Sequence, residues 1–398
     1  MTATEHIRSL SREPGRFRVA VVLGTRPEAI KLAPVVHALE AWPDLFEPVV
    51  IATSQQREML AQAMAAMQIR PDVDLGLTHA NRTLAEFTAH AMLAVTNALM
   101  DIRPGILLVQ GDTSTVAAAA LSAFYQNIAI GHVEAGLRSG DMHRPFPEEA
   151  NRRIAALAAD LHFAPTARAR DNLVREGAPP EDVYVTGNTV VDALAGMPHR
   201  EHFDDPALES VDWTGRRVVL VTVHRRESLG DHLHDLCRAF KRLVHEHPEV
   251  HLVFPVHLNP RVREVVFADL RDHERITLLD PLSYPDLLEV MRRSHFVMSD
   301  SGGIQEETPS FRKPILILRT VTERPEVIEA GFGTLVGTDP DLVVGTANRL
   351  LRDETLYRRM TSGQNPFGDG AAAARIIRII AERFGLEVPA RVGGAGAA

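Results

Sequence analysis

Short apolar runs alternate with amphipathic stretches along most of the chain. Arg18-Val-Ala-Val-Val-Leu23 is a continuous, β-branched run, as expected of a strand covered on both faces. It ends in Gly24-Thr-Arg-Pro-Glu28, and a stretch with Ile30, Val35 and Leu39 at helical spacing follows. Pro27 suits the first turn of that helix, where its missing donor costs nothing, whereas Pro34 lies deeper and predicts a kink or a later helix start. The alternation then repeats: a strand over 49–52, a helix over 56–67, a helix over 83–100 with Leu84, Phe87, Ala91 and Val95 on one face, and a strand over 106–109. Ile128-Ala-Ile-Gly-His132 leads into a long polar loop, and short strands are expected near Leu161 and Val183.

A second series opens with Arg217-Val-Val-Leu-Val-Thr222 and continues with strands over 251–254, 276–279, 296–299 and 315–318. Its opening echoes the first: an apolar strand, a basic turn Val223-His-Arg-Arg-Glu227, then a helix. Strands alternating with helices imply βαβ units and parallel sheets. The expected class is therefore α/β, with two Rossmann-like, doubly wound domains in tandem facing a central cleft. The first is placed at residues 1–187 and completed by 366–398, the second at 188–365, and the polar, proline-containing stretch 198–212 is read as the connection. A tail helix over 370–384 carries Ile376, Ile377, Ile379 and Ile380, which need a partner surface that a return to the first domain would supply. Residues 388–398 are Gly/Ala-rich and expected to be disordered.

At 398 residues the chain exceeds one hydrophobic core, in keeping with two domains. A formal net charge of −9 argues against general binding to nucleic acid or acidic membranes, while leaving room for a local basic phosphate site. Cys237 is the single cysteine, so no intrachain disulfide forms, and no Cys/His spacing suits a structural zinc. No apolar h-region opens the chain and no window approaches about 18 uninterrupted apolar residues. The expectation is a soluble cytoplasmic protein without metal or cofactor.

The chemistry concentrates at strand ends, where doubly wound sheets bind ligands. Phe296-Val-Met-Ser-Asp-Ser-Gly-Gly-Ile-Gln-Glu-Glu307 reads as strand, tight turn and helix start. Paired glycines let the backbone approach a ligand, and the amides of a first helical turn favour anionic oxygens, so a diphosphate fits there. A carboxylate that close would repel phosphate, so at least one of Glu306 and Glu307 is expected to face neutral hydroxyls such as a ribose. Other strand ends offer Arg26, Asp112, Glu134, Glu148 and Glu149 in the first series, and His224, Arg225 and His257 in the second. Plainer roles compete. Asp112 before Thr113 and Ser114 could cap a helix, one of the Glu148–Glu149 pair could serve a helix dipole, His257 could bond its own turn, and Lys31 is by default a solvated lysine.

Taken together and in order, several motifs outrun coincidence: Gly24-Thr-Arg-Pro-Glu-Ala-Ile-Lys31, Gly131-His-Val-Glu-Ala-Gly-Leu-Arg138, Pro147-Glu-Glu-Ala-Asn-Arg152, Thr186-Gly-Asn-Thr189, His224-Arg-Arg-Glu-Ser228, Pro255-Val-His-Leu-Asn-Pro260, Asp300-Ser-Gly-Gly-Ile-Gln-Glu-Glu307 and Thr322-Glu-Arg-Pro325. The chain resembles the non-hydrolysing UDP-N-acetylglucosamine 2-epimerases over about residues 17–385. The resemblance implies a GT-B-like two-domain fold, a homodimer, and reversible conversion of UDP-GlcNAc to UDP-ManNAc, supplying ManNAc-type sugars for cell-surface polysaccharide. It also implies that Asp112, Glu134, Glu148 and His224 are catalytic. Arg26, Lys31, Arg152, Leu282, Leu287, Ser301, Gly302, Gly303, Glu307 and Arg324 would contact substrate, Leu282 and Leu287 by a looser match to the family's uracil wall. Gln56 stands where the family's usual His does, which weakens the expectation of a second, activating UDP-GlcNAc. A glycosyltransferase of the same fold, or an epimerase for another UDP-2-acetamido sugar, is the alternative.

The residue types suit this reaction. The C2 proton has no neighbouring carbonyl to acidify it, so loss of UDP from C1 with loss of that proton, through a 2-acetamidoglucal, is the expected route. Electrostatic stabilisation of the departing diphosphate and carboxylates on the two ring faces are what such a route demands.

Overall fold

Residues 15–55, 57–77, 82–225 and 228–387 are described by the structure, a computed structural model. Expectations for Gln56, for Arg226 and Glu227, for the first 14 residues and for the 388–398 tail lie outside these residues. The chain divides into two units, Met1–Ala193 with Gly368–Ala398, and Leu194–Phe367.

In the first unit, β1 (Phe17–Leu23), β2 (Phe46–Ala52), β3 (Val73–Asp74), β4 (Ile106–Gln110), β5 (Ala129–Val133), β6 (Leu161–Ala164) and β7 (Val183–Val185) form one sheet in the order β3-β2-β1-β4-β5-β6-β7. Every pairing is parallel. β4, β5 and β6 are buried along their whole length and are mainly apolar, with Gln110, His132 and His162 as the polar residues within them. The helix Ser114–Tyr125 is mostly alanine where it is buried, and it packs beside the helices Leu84–Ile102 and Glu148–Ala158. Small side chains allow that close approach.

The second unit repeats the plan. β8 (Arg217–Thr222), β9 (Val250–Pro255), β10 (Ile276–Leu279), β11 (Phe296–Ser299), β12 (Ile315–Ile317) and β13 (Gly333–Leu335) run parallel in the order β10-β9-β8-β11-β12-β13. Strand order therefore reverses beside β1 and β4 in one unit and beside β8 and β11 in the other, which is where such sheets open a crevice for ligands.

Three expectations change. The helix Arg26–Glu40 begins at Arg26 with Pro34 inside it, so Pro34 does not mark a later start. A capping box between Thr25 and Glu28 holds the first turn. The stretch 198–212 is not a free connection: it is packed on the second unit. Phe203 stacks on Trp213 at 5.1 Å, the Arg293 guanidinium lies 4.6 Å over the Phe203 ring, and the buried Asp286 carboxylate accepts from the amides of Asp204 and Asp205. β3 and β13 were not expected; at two and three residues they are too short for an apolar pattern to announce.

The tail helix spans Ala372–Arg383, with Ile376, Ile377 and Ile380 buried against the helix Arg26–Glu40 and Ile379 half-buried. Asp192 accepts from the first amides of that helix, Ala372 at 3.2 Å and Ala373 at 2.8 Å, and Arg383 pairs with the buried Asp182 at 2.5 Å. Each fully buried isoleucine contributes about 1.5–3 kcal/mol relative to exposure, so this face alone holds the return firmly.

Candidate active site

In the first unit the turn after β1 is organised by a carboxylate. Glu28 is buried and accepts from the amides of Gly24 and Thr25, both at 2.7 Å, from the Thr25 hydroxyl at 3.0 Å, and from the Thr113 hydroxyl at 2.6 Å. Burial pushes its carboxyl up, against the pull of those donors. One side chain thereby ties the β1 turn to the β4 turn. Gly24 admits this closeness: a Cβ there would stand 2.3 Å from Thr53 Oγ1 and 2.5 Å from Thr115 Oγ1.

Three steps along the same helix, Lys31 is buried and its ammonium pairs with Glu134 Oε2. The default reading of a solvated lysine is thus corrected. Positions 28, 31, 32, 35 and 39 share the inward face of this helix, so Lys31 cannot reach bulk water without leaving the core. Glu134 directly follows β5 with φ at 62°, a left-handed conformation that costs a non-glycine residue about 1–2 kcal/mol. Gly136, at φ 90°, follows under helix Ala167–Arg175, where a Cβ would meet the Ala169 carbonyl oxygen at 2.1 Å. The chain turns sharply here, and a carboxylate occupies a position that glycine would hold with less strain.

β4 and β5 pair with Gln110 opposite Val133, so the Asp112 and Glu134 turns emerge side by side. Asp112 pairs with Arg152 Nη2 at 2.5 Å, and the Asn151 amide donates to the Asp112 carbonyl at 3.0 Å. The helix-capping role that Asp112 could have played belongs to Thr113, whose hydroxyl accepts from Val116. Within the first turn of helix Glu148–Ala158 the two acids divide their duties. Glu149 is fully buried and serves structure, accepting from the Ser139 amide, Arg152 and Arg153. Glu148 keeps a buried Oε2 with no hydrogen-bond partner among the described residues. From β5, His132 Nε2 donates to the Gly111 carbonyl at 2.8 Å, and burial lowers the imidazole pKa to about 4, so the ring is neutral with its proton on Nε2.

In the second unit the organising acid is Asp300, buried at the end of β11. It accepts from the amides of His224 and Arg225, from the Ser228 hydroxyl at 2.9 Å, and from His224 Nδ1 at 3.1 Å. Burial alone would raise this carboxyl, but the His224 imidazole and the two amides outweigh it and hold it below the usual aspartate range. The His257 ring lies 5.9 Å from His224 and its Nδ1 accepts from the Asn259 amide, so His257 does bond its own turn. Arg225 has a buried Nε without a hydrogen-bond partner among the described residues.

The Gly-Gly turn stands beside β8, with Ser301 donating its amide to Ser299 Oγ at 2.9 Å. Arg324 lies against it: a Cβ on Gly302 would be 2.9 Å from the guanidinium carbon. The same guanidinium bonds Glu306 at 2.7 Å, so that carboxylate is engaged within the protein, whereas Glu307 accepts from the Tyr284 hydroxyl at 3.1 Å. Glu323 completes the cluster, its carboxyl pulled down to about 2 by Arg324 and Arg319 against the effect of burial. Leu282 is buried and Leu287 half-buried at the start of helix Tyr284–Arg293.

A family model for UDP-N-acetylglucosamine 2-epimerase matches residues 37–381. The chain belongs to that family. A Bacillus subtilis UDP-N-acetylglucosamine 2-epimerase is 45% identical over 370 residues, which is 93% of this chain and 96% of the relative. Among solved structures, S. aureus MnaA in complex with UDP is similar at a TM-score of 0.87 and 42% identity, covering 95% of this chain and 100% of that one. The UDP-GlcNAc 2-epimerase of Neisseria meningitidis bound to UDP-GlcNAc is similar at 0.84 and 38% identity, covering 92% and 100%. For this family member, sequence reasoning assigned no role to Glu28, Asn188 or Asp300, although each stood in a quoted motif. Glu28 had a signal, since it falls on the apolar face of its helix with Lys31. The partners of the others are remote in sequence, and no local pattern names them.

Proposed function

We propose that this chain catalyses the reversible C2 epimerisation of UDP-GlcNAc to UDP-ManNAc without releasing free sugar. The observation that carries the reading is the group of carboxylates at the β4, β5 and following helix ends: Asp112 paired with the buried Arg152, Glu134 paired with the buried Lys31, and Glu148 with a buried oxygen that has no hydrogen-bond partner among the described residues. A transferase needs no such acidic group.

In the proposed route the C1–O bond to UDP and the C2–H bond break, C1=C2 forms, and the proton passes to a carboxylate. UDP then adds back to C1 as C2 is reprotonated on the opposite face. Asp112 is assigned as the C2 base, with Glu134 and Glu148 as acid or base partner and stabiliser of positive charge at C1. Arg152 and Lys31 offset the repulsion of assembling these acids beside a diphosphate-linked substrate. For the diphosphate, the Gly302–Gly303 turn offers close backbone approach, Arg225 offers a buried Nε that has no hydrogen-bond partner among the described residues, and His224, anchored at Nδ1 by Asp300, offers Nε2. Arg26, Ser301 and Arg324 are assigned to the same charge. Glu307 is assigned to the ribose hydroxyls, and Leu282 with Leu287 to the base.

Turnover of UDP-GlcNAc in deuterated water without acceptor is expected to place deuterium at C2 of both epimers, read by mass spectrometry of recovered UDP-sugar. Unexchanged sugar with intact epimerisation rules out the elimination route. Recovery of unchanged UDP-GlcNAc, or of free ManNAc with UDP, replaces the function itself.

No helix among the described residues is long and apolar enough to cross a membrane; a cytoplasmic setting is inferred. A homodimer is inferred as well. Leu93 and Met100, Phe124 and Tyr125, and Leu157 are exposed on three helices that pack side by side, apolar surface that a second copy of the chain would cover. Leu93→Arg combined with Phe124→Arg is expected to shift the mass in light scattering from dimer to monomer; an unchanged dimer places the contact elsewhere.

A further inference from the structure

The Thr186-Gly-Asn-Thr189 turn has no part in the chemistry above, yet its amide side chain is buried against a carboxylate that does. Asn188 is 2% exposed; its Nδ2 donates to Glu134 Oε2 at 3.1 Å, and its Oδ1 accepts from the Val190 amide at 3.0 Å. The second bond decides which end of the amide meets Glu134, because with the carbonyl oxygen committed to an N–H only the nitrogen can face a carboxylate. Glu134 Oε2 thus takes an ammonium from Lys31 and a neutral donor from Asn188.

The turn is gripped from its other side by the returning C-terminal segment. Arg375 Nη1 donates to the Thr186 carbonyl at 3.0 Å, and Gly368, at φ 132°, passes so close that a Cβ on it would lie 3.3 Å from Gly187 Cα. Asp192, one turn further on, caps the C-terminal helix. The hydrogen bonds place Glu134 and Lys31 ahead of this turn, and Asp192 and Arg375, itself paired with Asp369, behind it.

We propose that Asn188 is a positioning residue: it fixes the orientation of the Glu134 carboxylate opposite Lys31 without adding charge, and the C-terminal return holds Asn188 in register. The inference rests on the reading of Glu134 as a group of the epimerisation. A lysine or arginine in its place would compete with Lys31 for the carboxylate, whereas an amide only steers it.

Two variants of the full chain test this. Asn188→Ala removes the donor, and misplacement of a reacting group by about 1 Å costs on the order of 10²-fold, so kcat is expected to fall by about that factor with KM and UDP affinity little changed. Asn188→Asp keeps the shape and the Val190 bond but sets a second carboxylate against Glu134. Its kcat relative to wild type is expected to be lowest near about pH 8 and to recover toward about pH 6, where a proton shared by the pair restores the hydrogen bond. Unchanged kcat in both variants overturns the proposal. So does an equal, pH-independent loss, or failure of both to fold by thermal melting and UDP binding, since either assigns Asn188 to the framework alone. An inactive wild type, or an active Glu134→Gln, instead sinks the reading of Glu134 on which the inference stands.

Discussion

Glu134→Gln is expected to lower kcat for epimerisation by about 10²–10⁴-fold, the range that a positioned acid–base group contributes, while UDP binding persists. The amide matches the carboxylate in shape but can neither take nor carry the proton. The substitution also leaves the Lys31 ammonium buried without its counter-charge, and breaking a buried pair on one side costs about 3–5 kcal/mol. Loss of activity alone would therefore not separate chemistry from damage. The double variant Lys31→Met with Glu134→Gln separates them. Replacing both partners with neutral groups of similar volume removes the uncompensated charge, so urea unfolding should return toward the wild-type midpoint while turnover stays lost. Solvent deuterium at C2 of recovered UDP-GlcNAc gives the independent readout. If the stable double variant turns over at the wild-type rate, Glu134 is not a group of the reaction.

Legibility of this site in the chain follows the range of the interactions. Buried parallel strands announce themselves because both faces are apolar, so β1, β4, β8 and β11 stand where continuous runs placed them. The sites at their ends were legible as motifs, since turn glycines and acids sit together in sequence. What could not be read was pairing over distance. Asn188 lies 54 residues from Glu134, and Asp300 lies 76 from His224. The stretch 198–212 failed for a related reason: its composition is that of a linker, and the anchoring depends on Asp286 and Arg293, which come much later. Lys31 was the avoidable error. A cation that shares a helix face with Ile30's buried neighbours Leu32 and Val35, and with Glu28, has no route to solvent, and helical spacing alone places it there.

Asp300→Asn is expected to destabilise the second unit by about 3–5 kcal/mol and to abolish measurable UDP binding. The carboxylate is the common acceptor for two backbone amides, a hydroxyl and an imidazole N–H, all converging from the β8 turn, and it is fully buried. An amide in its place turns one acceptor oxygen into an NH₂ group facing N–H donors, so at least one buried donor is left unmatched as the charge is lost. The turn so released carries His224 and Arg225, which links the stability change to the proposed phosphate site. The sign with pH is fixed by the direction of the shift. Asp300 is held below the ordinary aspartate range when folded, so its contribution is fully present at neutral pH and fades as pH falls through that range toward the folded value. The gap in unfolding free energy between wild type and Asp300→Asn should accordingly be constant from about pH 7 to about pH 5 and narrow only below that, in urea titrations run across the acid range. A gap that instead widens on acidification would mean that the Asp300 carboxyl is protonated in the folded protein, and that the His224 turn is held by something other than its charge.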